Sequence, residues 1–481
     1  MSTSRFAALK ALAAGLVMLL GLAGTVTSAS AAVTIVIVNN DGPNEGFNDA
    51  TPAAPVGGNT GTTLGQQRLN AFQHAAGIWG ATLTSNVTIA VRANFDPLTC
   101  TATGAVLGSA GPISVSRDFT NAPLAGTWYH ASLANKRAGF DLSAAQPEIG
   151  ARFNSNLGQA GCLTGTFFYL GLDNNHGSNI DLVTVLLHEF AHGLGFSNVT
   201  NGSTGAPFIG FPSVWDHFLL DGSTNLQWVS MTDAQRAASA INPRKLAWTG
   251  ANVTGAVPGV LSLGTPRLNI SGPAAGPAVG DYLVGAAAFG AQLTALPVIG
   301  QLMPVTEQGA GTGAGCTPFN AANTLAANNN IALIGRGVCG FIVKVKNAQN
   351  AGARGVVIAD NVAGSPPPDL GGADPTITIP SVRISQADGV ALRARLTTRS
   401  RTASGVIANL GVNTSQYAGA DLFGRALMYT PNPFQGGSSV SHWDTSAFPN
   451  QLMEPAINAD LTHSLLPPAD LTFKLLQDIG W

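Results

Sequence analysis

Residues 188 to 196 read His188-Glu189-Phe190-Ala191-His192-Gly193-Leu194-Gly195-Phe196 and contain the pattern H-E-x-x-H. The residues just before this stretch are nearly all apolar, which favours a buried helix over one that lies on the surface. Ser178 and Asp181 form an S-x-x-D pattern that predicts the start of the helix, and Gly193 predicts its end. We therefore expect a helix over residues 178–192.

The spacing of the two histidines predicts a metal site. Residues four apart share one face of a helix, so the side chains of His188 and His192 point the same way. Two imidazoles in this arrangement are typical zinc ligands, and Glu189 lies one residue further round, where it can take a proton from a zinc-activated water. Zinc lowers the pKa of such a water to about 7, so the motif predicts a hydrolytic site. A chance match is disfavoured because burying three polar side chains without a purpose is costly.

A catalytic zinc needs a third protein ligand, for which the residues alone leave several candidates. These are Asp216, His217, His442 and His463. A nearby glutamate is excluded because none occurs between Glu189 and Glu307. In the compact pattern H-E-x-x-H-x-x-G-x-x-H the last histidine would fall at Asn198. The third ligand must therefore be distant in sequence.

After H-E-x-x-H-x-L-G-F and a long insertion, the chain continues with Ser441-His442-Trp443-Asp444 and Asn450-Gln451-Leu452-Met453-Glu454-Pro455. This combination of segments resembles the leishmanolysin-type zinc metallopeptidases, a branch of the metzincins. The resemblance implies that His442 is the third zinc ligand, that Met453 is the Met-turn residue and that proteins or peptides are the substrates. It also implies an α+β catalytic domain in which a twisted sheet lies over the zinc helix.

The insertion contains residues 331–341 (Ile-Ala-Leu-Ile-Gly-Arg-Gly-Val-Cys-Gly-Phe), the segments 344–353 and 355–358, and residues 379–385. Together these segments resemble the protease-associated (PA) domain. By itself this pattern predicts a small β/α module of strand, helix and strand. Domains of this family carry no catalytic groups, so the resemblance implies a role in selecting substrates or partners.

These observations predict four segments. Residues 1–31 form a signal peptide, 32–265 the first part of the metallopeptidase domain, 266–405 the PA domain insertion, and 406–481 the second part of the metallopeptidase domain. In the first part, Thr63 and Gln66 predict the start of a helix. We expect the segment Ile149–Phe153 to be the edge strand against which an extended substrate pairs.

The N-terminal residues predict export. Arg5 and Lys10 precede an apolar run, 12–23, that is too short to span a bilayer, and Ala29-Ser30-Ala31 fits a cleavage site. An N-terminal membrane anchor is the alternative. No later segment is long and apolar enough to span, so we expect a secreted protein cleaved near Ala31. Only 10% of residues are charged and the net charge is −2, which disfavours a nucleic-acid partner.

The four cysteines are Cys100, Cys162, Cys316 and Cys339. An even number in an exported chain predicts two disulfides, for which three pairings exist. The division into domains favours Cys100–Cys162 and Cys316–Cys339. The run Asp173-Asn174-Asn175-His176-Gly177 predicts a plain turn, with a calcium ion as the alternative.

Together these features predict a secreted zinc endopeptidase. One alternative is an exported binding or adhesion protein that keeps a zinc-bearing fold without cutting, although a structural zinc would not need the intact Glu189. A metal hydrolase that acts on non-peptide amides is a second alternative.

Overall fold

The fold is described from a computed structural model, in which residues 31–306 and 313–481 are described. The predicted signal peptide lies outside these residues apart from Ala31. The described part of the chain is an α+β structure with two main sheets. The first sheet carries the H-E-x-x-H helix, and the second belongs to the insertion.

The first sheet has four strands, in the order Ile35–Asn39, Ile89–Asp96, Ile149–Asn154 and Gly108–Pro112. The first three are parallel to one another, and Gly108–Pro112 runs antiparallel at the end. The expectation that residues 149–153 form the edge strand is therefore wrong, because that strand is paired on both sides. Gly108–Pro112 takes the edge position instead.

Helices occupy the following ranges: Leu64–Thr82, Ala131–Ala138, Leu182–Leu194, Asp233–Ser239, Ala251–Val260, Ala321–Ala327, Phe341–Asn350, Gln386–Arg395 and Thr472–Ile479. The first begins as its sequence predicts, since the Thr63 side chain accepts a hydrogen bond from the backbone N–H of Gln66. Short strands form three further pairs and a small three-stranded sheet: Cys100–Thr101 with Gly104–Ala105, Val115–Ser116 with Tyr129–His130, Phe168–Tyr169 with Ile180–Asp181, and Leu219–Asp221 with Leu226–Gln227 and Leu246–Trp248.

The helix with the H-E-x-x-H motif spans Leu182–Leu194 rather than 178–192, and we call it the HExxH helix. Its N-cap is Asp181, whose carboxylate accepts a hydrogen bond from the backbone N–H of Thr184 (2.6 Å). Ser178 does not cap it, because the chain is still extended at 180–181, where it pairs with residues 168–169. Every residue of the helix is buried, in agreement with its apolar sequence.

Gly193 does not end the HExxH helix. The cap is Gly195, which has a φ of +125°. Gly193 instead allows the helix to lie against the sheet, since a Cβ atom built on it would be only 2.5 Å from Cγ2 of Ile149. On another side, the indole N–H of Trp79 donates to the carbonyl of Leu187 (3.1 Å) and ties the long first helix to the HExxH helix.

The second sheet has eight strands, in the order Gly280–Tyr282, Leu263–Ser271, Ile407–Tyr417, Val298–Pro304, Ile331–Gly335, Gly355–Ala359, Ser381–Ile384 and Gly285–Ala286. The four strands from 298–304 to 381–384 are parallel. The chain enters and leaves the insertion through the long antiparallel pair 263–271 and 407–417. The proposed limits of the insertion, residues 266 and 405, fall within the first of these strands and just before the second.

Each face of the second sheet has its own core. Ile331 and Leu333 belong to a cluster that includes Leu392 from the helix 386–395. Ala332 and Ile334 belong to the opposite cluster, with Val345 from the helix 341–350. Alternate residues of a strand point to opposite faces, so this apolar run is covered by helices on both sides.

The insertion also contacts the rest of the chain away from its two connecting strands. Ser365 and Asn432 exchange two backbone hydrogen bonds, of 2.8 and 2.6 Å. The Arg244 guanidinium donates to the carbonyl of Val284 (3.2 Å). The first contact holds a loop of the insertion against the segment that leads to His442, and the second joins the insertion to the chain that precedes it.

The structure contains both of the favoured disulfides, Cys100–Cys162 and Cys316–Cys339. Each links two segments of the same part of the fold. In residues 31–306 and 313–481, no helix combines the length and the apolar character needed to cross a bilayer.

Candidate metal centre

Three histidines from two distant segments meet in the interior. His188 and His192 come from the HExxH helix, and His442 comes from the segment that follows the insertion. Their Nε2 atoms form a triangle whose three sides are each 3.2 Å. Among the described residues, this is the one group of three or more His, Cys, Asp or Glu side chains that can share a metal ion.

Backbone carbonyls orient all three rings. Nδ1 of His188 lies 2.7 Å from the carbonyl oxygen of Leu452. Nδ1 of His192 lies 2.7 Å from that of Phe196, and Nδ1 of His442 lies 2.8 Å from that of Ser438. A carbonyl can only accept, so the hydrogen of each neutral ring is on Nδ1 and the lone pair is on Nε2. The three lone pairs therefore belong to the three atoms that converge.

The donor set fits zinc. Nitrogen ligands of a tetrahedral zinc lie about 2.0–2.1 Å from the ion, which places them about 3.3 Å from one another. The separation of 3.2 Å agrees with that value. Metal-bound histidines usually donate their second ring N–H to a carbonyl or carboxylate, as all three do here.

Burial keeps these imidazoles neutral. It lowers the pKa of His188 to about 4 and that of His442 to about 3. It also places the pKa of His192 well below the ordinary value, with a further contribution from the two neighbouring imidazoles. A metal ion at neutral pH therefore has little competition from protons for the three nitrogens.

The other candidates for the third ligand have different partners. The carboxylate of Asp216 is buried and accepts hydrogen bonds from Thr200 and Ser213. Nε2 of His217 lies 3.2 Å from the Thr127 hydroxyl. His463 lies beside the N-cap of the HExxH helix, with Nε2 2.9 Å from a carboxylate oxygen of Asp181. None of the three belongs to the histidine triangle.

Glu189 is buried next to the edge strand. The backbone N–H of Ala110, in the strand 108–112, faces this carboxylate and partly offsets the effect of burial on its pKa. Burial raises the pKa of Glu189 to about 8. A carboxyl with a pKa near neutrality can both accept and release a proton at pH 7, which is the property that general acid–base catalysis requires.

Met453 is fully buried in the core below the first sheet. Its carbonyl accepts a hydrogen bond from the backbone N–H of Trp443 (2.8 Å), so the segment around Met453 is tied to the residue that follows His442. The neighbouring Leu452 carbonyl orients His188. The two sequence segments that resemble the metzincins therefore lie together and support two of the three histidines.

The run 173–177 forms a turn. The carboxylate of Asp173 accepts hydrogen bonds from the Tyr169 hydroxyl (2.7 Å) and from the backbone N–H of Asn175 (3.1 Å). Asn174 donates to the carbonyl of Leu461. These contacts fit the plain turn, and a calcium ion at this place stays a prediction.

Two features of the site were missing from the sequence predictions. One is the edge strand 108–112, whose sequence Gly-Ser-Ala-Gly-Pro has low β-propensity. The other is the set of carbonyls that orient the histidines, since any residue type supplies a carbonyl. A search for strands by alternation of apolar residues would not have found the first, and no sequence signal marks the second.

Comparison with known proteins identifies one part of the chain. Residues 298–392 match the PA domain family, so the insertion contains a PA domain. No curated protein matches the chain. Similar solved structures include a zinc aminopeptidase from Bacillus subtilis, with 21% identity over 42% of this chain and 42% of that chain and a TM-score of 0.22. An aminopeptidase from Aneurinibacillus sp. strain AM-1 has 19% identity over 42% of each chain and a TM-score of 0.23.

A further similar structure is the psychrophilic subtilisin-like protease Apa1 from the Antarctic psychrotroph Pseudoalteromonas sp. AS-11. It has 22% identity over 32% of this chain and 35% of that chain, with a TM-score of 0.21. The chain thus spans less than half the length of each of these three proteins.

Proposed function

We propose that this protein is a zinc endopeptidase of the metzincin type, of the leishmanolysin-like branch, with a PA domain inserted between its second and third metal ligands. The observation that carries the proposal is the triangle of three Nε2 atoms, each 3.2 Å from the others, on rings that carbonyls orient. The ligands are His188, His192 and His442. A zinc ion in this place supplies Lewis-acid activation of water and of the scissile carbonyl.

Glu189 is the proposed general base and acid. Positive charge next to a carboxyl lowers its pKa, so Glu189 is ionised when the neighbouring triad holds a dication. It then accepts a proton from the attacking water and passes it to the nitrogen of the departing amine. Burial removes competing solvent from the carboxyl, which is 7% exposed.

The strand 108–112 is the proposed binding edge for the substrate. It pairs with the strand 149–154 on one side and is the last strand of its sheet. An extended peptide can therefore add to the sheet through backbone hydrogen bonds. Because the backbone N–H of Ala110 in this strand faces Glu189, a peptide bound here lies next to the proposed catalytic group.

We also propose that the protein is secreted after cleavage near Ala31. The support is the predicted signal peptide together with the two disulfides, which persist mainly in oxidising compartments. N-terminal sequencing of the protein recovered from the culture medium tests this proposal. A chain that begins at or near Ala32 is expected, and a chain that keeps residues 1–31 would contradict it.

The test of the activity compares the mature chain with Glu189→Ala at equal zinc content, using an unfolded protein as substrate. Loss of the general base is expected to reduce kcat/KM by about 10²–10⁴-fold. Glu45→Ala is the matched control, because Glu45 is an exposed glutamate far along the chain from the motif, and it should cut at the unaltered rate. Equal cutting by Glu189→Ala would refute the role of Glu189. Zinc binding without any cutting by the unaltered chain would favour the binding or adhesion alternative.

A further inference from the structure

A pocket of about 320 Å³ lies directly beside the histidine triangle. His192 lines it on one side, and Ala110 of the edge strand lines it on another. The backbone N–H of Ala110 faces the carboxylate of Glu189. A side chain that entered this pocket from a bound peptide would therefore belong to a residue close to the scissile bond.

The walls of the pocket are polar but carry no acidic, lysine or arginine side chain among the described residues that line it. Hydroxyl and amide groups dominate: Ser197, Asn198, Thr200, Ser439 and Ser441. The apolar part of the wall is Phe434, which packs close to Gly202. A lysine or arginine side chain would lose its hydration in this pocket without gaining an opposite charge, and the wall offers no lysine or arginine side chain to a carboxylate.

Three of these groups have a donor hydrogen for which the described residues provide no acceptor. The Ser441 hydroxyl oxygen accepts from the backbone N–H of Asn198 (3.0 Å), and that of Ser439 accepts from the backbone N–H of Gln435 (2.9 Å). Neither hydroxyl has an acceptor for its own hydrogen among the described residues. The side-chain oxygen of Asn198 accepts from Thr200 (3.0 Å), while its buried NH₂ group has no partner.

A pocket with unused donors and no charge favours one kind of ligand. An apolar side chain would fill the space but leave the donors unpaired, and buried donors without acceptors are destabilising. A lysine or arginine would add donors where acceptors are needed. The side-chain amide of asparagine or glutamine is uncharged and presents a carbonyl oxygen that can accept from the pocket.

We propose that this pocket is a specificity pocket that selects an asparagine or glutamine residue of the substrate next to the bond that is cut, with Ser439, Ser441 and Asn198 as the groups that recognise it. The inference rests on the proposed peptidase function. Asn198 occupies the position where the compact metzincin pattern has its third histidine, so the displacement of that ligand to His442 leaves this position available for substrate recognition.

The test measures kcat/KM for the mature, zinc-loaded chain on peptides that differ at one residue on either side of the cut. The residues compared are Asn, Gln, Leu, Asp and Lys. Asparagine and leucine are similar in size, so their ratio isolates the hydrogen bonds. We expect a preference of about tenfold or more for the amide at one position, because sites built to hydrogen-bond a ligand reject analogues that cannot accept. A preference for Leu, Asp or Lys at both positions would overturn the proposal.

Variants of two pocket serines test whether these hydroxyls cause the preference for Asn over Leu. Ser439→Ala and Ser441→Ala should each reduce the ratio of Asn to Leu cleavage by about threefold to tenfold. Ser203→Ala is the control, since Ser203 is exposed on the loop that carries Thr200 and does not line the pocket, and it should keep the ratio. An unchanged ratio in both pocket variants would refute the assignment. If Ser441→Ala fails to fold, Ser439→Ala still decides.

Binding separates failure of this inference from failure of the proposed activity. If the unaltered chain cuts no peptide, the peptidase proposal fails, and the pocket is then tested with labelled peptides by fluorescence anisotropy on zinc-loaded Glu189→Ala. Tighter binding of the Asn or Gln peptide than of the Leu peptide supports the pocket. Equal binding overturns it.

Discussion

Replacement of Gly193 by alanine tests the packing of the HExxH helix on the first sheet. The added Cβ would lie 2.5 Å from Cγ2 and 2.7 Å from Cδ1 of Ile149. Ile149 is fully buried in a strand that is paired on both sides, so its side chain has little room to move. The variant therefore adds one methyl group to a filled part of the core, between the sheet and the segment that carries His192.

The expected size of the effect combines two opposing terms. Overpacking a buried site costs roughly 1–3 kcal/mol. Alanine in place of glycine within a helix gains up to about 1 kcal/mol from its higher helix propensity. The net result should be a loss of about 1 kcal/mol in the free energy of unfolding.

Gly77→Ala is the matched control. Gly77 is exposed in the helix 64–82, and a Cβ built on it meets nothing within 4 Å. It should gain roughly 0.5–1 kcal/mol, because only the propensity term remains. The difference between the two variants then measures the steric cost at Gly193.

The assay is urea unfolding of both variants and of the unaltered chain in the presence of a chelator, so that zinc binding does not contribute. A double variant adds a second check. Ile149→Ala alone should cost about 2–5 kcal/mol, and combining it with Gly193→Ala should cost less than the sum, since the new methyl enters vacated space. The close packing would be refuted if Gly193→Ala were as stabilising as Gly77→Ala. It would also be refuted if the losses in unfolding free energy of Gly193→Ala and Ile149→Ala added strictly in the double variant.

His442→Ala should lose its zinc on dialysis while His463→Ala keeps one zinc per chain, measured by elemental analysis; full zinc content in the first would contradict the proposed ligand set. Zinc affinity should stay nearly constant from pH 7 to about pH 5. It should fall as the pH approaches the lowered pKa values of about 4 for His188 and about 3 for His442, because protons then compete with zinc for Nε2. A competition titration at several pH values checks this, and a steep loss near pH 6.5 would argue against buried ligands. Replacing both cysteines of a disulfide by serine should lower the free energy of unfolding by about 3 kcal/mol for Cys316–Cys339 and about 4 kcal/mol for Cys100–Cys162. The second value is larger because that disulfide closes the longer loop, with a sequence separation of 62 against 23. Urea unfolding gives both values, and the reverse order would contradict the loop-length argument.

The amino-acid sequence is sufficient to predict the HExxH helix and the shared face of its two histidines. Its apolar run predicts a buried helix, and the four-residue spacing of His188 and His192 places both rings on one face whatever the surrounding fold. It also indicated the PA domain, through a local strand–helix–strand pattern in which each element is specified by its own residues. The start of the HExxH helix depends on more than its own residues, because Ser178 and Asp181 are both suitable caps and pairing of residues 180–181 with another strand decides between them.

Tertiary structure decided which residue completes the histidine cluster. The residues alone left four candidates, and only the return of the chain after the insertion brings His442 within 3.2 Å of His192, 250 positions earlier. Long-range pairing likewise makes 108–112, and not 149–153, an edge strand of the sheet, since strand order depends on pairing between distant segments. Spacing and periodicity act over a few residues, whereas a metal centre and a sheet edge are formed by segments far apart in the chain, so their assembly depends on how the whole core packs.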